Sequence, residues 1–115
     1  MLYPAFFAIV VGLIMIVQWS FFYFSNQIPE LENEPVRIGF HIVAEVVTAL
    51  SLVAGGVALL AELDWGVRVY HVSLGMLFYT AIVSPGYFAQ KGDWKWLGIF
   101  SVLIAGGLVG LLLVD

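Results

Sequence analysis

The chain has 115 residues, of which 63% are hydrophobic and 10% charged, with a formal net charge of −4 and no cysteine. Soluble domains carry about a quarter charged residues, so this composition, with a mean hydropathy of +1.05, belongs to the membrane class. The acidic balance offers no basic patch for phosphates and excludes nucleic acid as a partner. The missing cysteines exclude disulfides, thiolate metal sites, haem attachment and cysteine nucleophiles.

The first apolar run covers residues 4–25. Its leading segment, Met1-Leu2-Tyr3-Pro4, lacks the basic region and the cleavage site of a signal peptide, so we read the run as a permanent span. Pro4 suits a helix's first turn, where a missing N–H is no loss. A polar loop follows, "NQIPELENEP", with two prolines and three glutamates. The second run covers residues 36–61 and ends at "ELDWG". The third runs from 66 to 84, with a break expected at Pro85, because proline removes a backbone hydrogen bond and crowds the preceding turn. "YFAQKGD" leads to the fourth run, residues 94–114.

Each run reaches the roughly 20 apolar residues that cross a bilayer. Their continuity is not the alternation of a membrane barrel. The expected fold is one domain over residues 1–115: an all-α integral membrane protein, a four-transmembrane-helix antiparallel up-down bundle. Trp19, Trp65, Trp94 and Trp96 fall near span ends, as in an aromatic belt. Arg37, Lys91 and Lys95 flank the first and third loops, and Arg68 alone flanks the second. This bias puts loops one and three inside and the termini outside. Gly106 and Gly110 form a GxxxG spacing, and Gly55-Gly56 is a second small-residue pair. Such residues serve packing within the bundle or a seam between copies. A homo-oligomer through Gly106, Gly110 or Gly55 is therefore expected within the lipid bilayer.

The stretch "GFHIVAEVVTAL" carries the chemistry. His41 and Glu45 are four residues apart and share one face of the second span, a face that Thr48 continues. Ionisable residues inside a membrane turn to the bundle interior and mark a site. His71 lies near the opposite end of the third span, roughly 15–20 Å from His41 along the normal. That separation argues against one iron or metal ion held by both. His71 is a secondary candidate, read first as interfacial. Ser84, Tyr87 and Gln18 lie at the depth of His41 and complete the expected pocket: His41, Glu45, Ser84, Tyr87 and Gln18. We expect no cofactor and leave the metal content open, because one His-x3-Glu pair is too few ligands for a closed site.

Three functions fit such a pair. It can tie helices together as a structural element of an accessory or binding protein. It can exchange a proton for a small molecule or ion in a transporter, since histidine titrates near neutrality. It can also contribute to a small membrane metal- or ligand-binding site. No phosphate-binding loop, zinc-protease motif, nucleophile elbow or dinucleotide fingerprint occurs, which points away from an enzyme. In size and helix count the chain resembles the small multidrug-resistance transporters, four-helix dimers with an essential membrane glutamate. Their glutamate belongs to the first helix, which here has no carboxylate, so none of their residues carries over. The expectation taken forward is a small-solute or ion transporter with proton coupling.

Overall fold

A computed structural model describes residues 2–114. It is all-helical, with no strand among the described residues. The helices are α1 (Leu2–Phe24), α2 (Glu30–Asn33), α3 (Pro35–Leu60), α4 (Gly66–Gln90) and α5 (Lys95–Leu113). Four of them, α1, α3, α4 and α5, are long and apolar enough to cross a membrane. The polar loop after α1 is not wholly irregular, since its "ELEN" folds into the single turn of α2. Pro35 opens α3 at its first turn, where its fixed φ helps and its missing N–H costs nothing.

The third apolar run continues past its expected break. Helix α4 passes through Pro85 and ends at Gln90. Pro85 removes the N–H that would have bonded the Ala81 carbonyl, but a single lost bond does not end a helix whose next turn is held by packing. Here Pro85 is buried, and Phe88 one turn on stacks on Trp96 of α5 with ring centroids 4.5 Å apart.

Three helices end in the same way. Asn26, Glu62 and Gly92 take φ of 59°, 56° and 79°. Each is followed by an N–H that reaches back five residues: Gln27 to Phe22, Leu63 to Ala58 and Asp93 to Phe88, all at 2.9 Å. This is the Schellman closure, in which a left-handed residue lets the chain satisfy the last carbonyls and turn away. Glycine fits that conformation without a Cβ clash, and glutamate does not. Glu62→Gly is therefore expected to raise stability by about 0.5–1 kcal/mol, read as a higher midpoint of thermal unfolding in detergent.

Helix α3 is the centre of the fold. It packs on α1, α2 and α4, while α4 packs on α5 and α1 touches α5. The contacts are close because the residues are small. Gly12 lies against Ala49 and Leu52, Gly56 against Ala5 and Ile9, and Gly55 against the backbone of Tyr70. The core is correspondingly thin: Ala5, Ala8 and Val11 of α1, Ala49 and Leu52 of α3, Tyr70, Leu74 and Leu77 of α4. Outer faces are apolar too, with Phe40, Val102 and Leu112 at 75%, 71% and 84% exposure. The molecule is 44 Å long and 24 by 19 Å across.

Gly55, Gly106 and Gly110, the residues expected to form a seam between copies, face the chain's own neighbours. Gly106 lies against the Phe7 ring and the Tyr3 hydroxyl, which donates to its carbonyl at 2.8 Å. Gly110 accommodates the Tyr70 hydroxyl. Aromatic side chains of the same chain lie against Gly106 and Gly110, and the backbone of Tyr70 lies against Gly55.

Candidate functional site

Helices α3 and α4 run beside one another, and their small residues set the register. Gly55 opposes Tyr70. Ten residues along each helix, away from the turn that joins them, stand Glu45 and Thr80, whose side chains are hydrogen-bonded. The Glu45 side chain is only 7% exposed. Its Oε1 accepts from the Thr80 hydroxyl, and Thr80 Oγ1 lies 3.0 Å from Ser84 Oγ. A hydroxyl has one hydrogen to give. With that of Thr80 committed to Glu45, Ser84 must donate to Thr80. The result is a directed row, Ser84 to Thr80 to Glu45.

His41 approaches the same carboxylate oxygen from one turn earlier on α3. Its Nε2 lies 3.5 Å from Glu45 Oε1, near enough for charge attraction but longer than a hydrogen bond of 2.7–3.2 Å. The imidazole is half-exposed and rests against Trp19 of α1, ring centroids 5.6 Å apart and edge to face. Glu45 Oε2 has no hydrogen-bond partner among the described residues. Thr48, the next polar residue on that face, donates to the Ala44 carbonyl at 2.8 Å and so needs no other partner.

Between α3 and α4 an open groove of about 670 Å³ passes this cluster. His41, Glu45 and Thr80 mark its polar end. Thr48 and Tyr79 also border it, and the rest of its wall is apolar, with Val47, Val72 and Met76. No lysine, arginine or aspartate lines it. Gly75 also borders it, and a Cβ placed there would meet nothing within 4 Å.

Of the five residues expected to share a pocket, the fold brings together His41, Glu45 and Ser84. Gln18 neither lines the groove nor makes a side-chain hydrogen bond among the described residues, and its neighbour Trp19 takes the place beside His41. Tyr87 is on the Thr80–Ser84 side of α4, but its long side chain carries the hydroxyl beyond the groove. There it donates to Glu30 Oε1 of α2 at 2.9 Å and accepts from Lys91 Nζ at 2.7 Å. That hydrogen bond to Tyr87 holds the Lys91 ammonium above the usual lysine pKa of 10.5, against a small opposing effect of desolvation and with help from the Tyr87 and Glu30 charges. His71 is exposed at the other end of α4, beside Tyr70 and away from any acid of the cluster. No group of three or more His, Asp and Glu side chains placed to hold a metal ion occurs among the described residues.

Thr80 is the residue that sequence reasoning left out of the pocket. It was visible as the i−4 partner of Ser84. What single-helix spacing does not contain is the phase between α3 and α4 that turns it onto Glu45.

A family model described as "Domain of unknown function (DUF8058)" matches residues 3–114. No curated protein and no solved structure matches the chain. The match leaves out only the outermost residues at each end, and the chain belongs to the DUF8058 family.

Proposed function

We propose that this protein is an integral membrane transporter that exchanges a small solute for a proton at the His41–Glu45–Thr80–Ser84 cluster. The observation that carries the reading is Glu45. A carboxyl group 7% exposed lines an open groove, with one oxygen tied to Thr80 and the other without a partner among the described residues. A tie that only joined helices would have no use for an open cavity beside the acid. Buried ionisable groups in a span mark ion and proton paths.

Membrane insertion is supported by the exposed apolar faces of all four long helices and by a length of 44 Å, close to the 40–45 Å of a bilayer with its headgroups. The antiparallel up-down arrangement is supported by paired contacts that run in opposite order along neighbouring helices. Ala5 meets Gly56 while Gly12 meets Ala49, and Tyr70 meets Gly55 while Thr80 meets Glu45. The Tyr87–Glu30 bond supports loops one and three at one end. Arg37, Lys91 and Lys95 collect there against Arg68 at the other, a bias that supports that end as the inner one. The working unit is a homo-oligomer on this reading. Support comes from α5, the least buried span, with Val102 and Leu112 uncovered, rather than from the glycines the chain fills itself.

Vesicles holding the purified protein and a trapped pH-sensitive dye test the proposal. An imposed solute gradient is expected to move protons, and Thr80→Val is expected to slow that movement. The substitution keeps the side chain's shape, strips the donor from Glu45 and costs about 1–3 kcal/mol of stability. A parent protein that moves no protons for any solute of a broad panel, together with a Thr80→Val variant altered in thermal stability alone, would establish a purely structural cluster instead.

A further inference from the structure

We propose that the cargo of this site is an amphiphilic amine, bound with its ammonium on Glu45 and its apolar body along the groove between α3 and α4. The inference rests on the transport reading above and names its substrate class.

Size comes first. A groove of about 670 Å³ lies within the range of about 300–1,000 Å³ typical of organic-ligand sites, far above what a dehydrated metal ion needs. Most of its wall suits an apolar body better than a hydrated ion, because Val47, Val72, Met76 and Val83 offer water no partner. From Val72 to Val83 the α4 wall is roughly 16 Å long, the reach of a medium alkyl chain or a pair of fused rings.

Charge comes second. Glu45 is the carboxylate of the groove, and no lysine or arginine faces it. The groups turned toward it are His41 on its own helix, the hydroxyls of Thr80 and Ser84 from α4, and Trp19 of α1 behind the imidazole. Arg37 is engaged by Glu34 at 2.9 Å, and Lys91 by Tyr87. A carboxylate, phosphate or sulfate would meet an acid with no counter-charge. An ammonium would meet Oε2, which accepts from no described residue, in a low-dielectric setting where charge-assisted hydrogen bonds are strong. Tyr79, 71% exposed on the rim, adds a ring face suited to a cation.

Proton balance follows from the same geometry. On the transport reading the exchange is one for one: a proton held at the cluster leaves as the ammonium binds, and the net charge of the groove is unchanged. His41, half-exposed at the polar end, is the base nearest to take that proton outward. When the amine leaves, one proton returns to the cluster.

The test uses three probes of equal chain length: decylamine, decanol and decanoate. Binding to the full-length protein in detergent is read by native mass spectrometry and calorimetry. Two variants accompany the parent. Glu45→Gln removes the charge. Gly75→Leu fills the groove without a backbone clash, because its Cβ enters open space, and its helicity and unfolding midpoint report that it is folded. Decylamine is expected to bind the parent at least tenfold more tightly than decanol or decanoate, with that preference lost in Glu45→Gln and all decylamine binding lost in Gly75→Leu. Equal binding of the three probes, indifferent to Glu45→Gln, would mean an acyl-chain slot for lipid and overturn the proposal. So would decylamine binding that Gly75→Leu leaves intact. Proton movement driven by another solute without decylamine binding defeats this inference and leaves transport standing. Selective decylamine binding without proton movement supports the amine site and defeats transport.

Discussion

Gly56→Leu is expected to leave little folded protein in mild detergent, while Gly75→Leu on the neighbouring helix folds as the parent does. Both positions are mid-helix glycines, and helix propensity alone predicts that either substitution gains up to about 1 kcal/mol. Their surroundings reverse the sign at one of them. A Cβ on Gly56 would lie 2.6 Å from the Ile9 side chain and 2.7 Å from the Ala5 carbonyl oxygen. Backbone cannot step aside as a rotamer can, so α1 must move away from α3. Overpacking of this kind costs about 3 kcal/mol or more, and the displaced helix also exposes Ala5 and Ala8, which are fully buried. Gly12, with Ala49 O at 2.7 Å and Val53 Cγ2 at 2.8 Å, should behave like Gly56. Circular dichroism during heating, with size-exclusion profiles before and after, checks the series. A Gly56→Leu variant as heat-stable as the parent would mean that α1 and α3 do not pack as described.

Glu45→Gln carries the largest functional effect. The amide keeps the length and shape of the side chain, and its carbonyl oxygen can still accept the Thr80 hydrogen. The fold should therefore persist, with the unfolding midpoint changed by a few degrees. On the transport reading, what disappears is the group that exchanges the proton. Loss of a charge-assisted hydrogen bond is worth about 1.5–3 kcal/mol, roughly tenfold to a hundredfold in affinity. Flux should fall by at least that factor and lose its dependence on pH. Glu45→Leu distinguishes charge from structure: it removes the acceptor as well and should cost stability that Glu45→Gln does not. Flux unchanged in a folded Glu45→Gln variant would remove the carboxyl from the mechanism.

The four long apolar helices were legible because a bilayer demands about 20 apolar residues in sequence, and run length is a one-dimensional property. Pro85 was misjudged because a proline's local cost is fixed while its compensation is not. The compensation comes from Phe88 against Trp96, a contact between helices. The His41–Glu45 pair was visible from the four-residue spacing, which needs one helix only. Thr80 required the phase of a second helix, and that phase is set by Gly55 against Tyr70. Tyr87 was misplaced because its spacing describes its Cα. Its hydroxyl, carried outward by the ring, belongs to Glu30 and Lys91. For Gly106 and Gly110 the spacing leaves two uses open, packing and a seam between copies, and the contacts that a single helix cannot show are those with Phe7 and Tyr70 of the same chain.

Every side chain that lines the groove comes from α3 or α4, two helices joined by a five-residue turn. The candidate site is thus carried by one contiguous hairpin, with α1 packed on α3 and α5 packed on α4. On the membrane reading, a hairpin can enter a bilayer as a unit as soon as its second arm is synthesised, so the acid need never cross lipid without its hydroxyl partner. Of the two outer helices, α5 is then the freer to diverge in sequence or to serve as a fusion point, since α1 is held to α3 through Gly12 and Trp19.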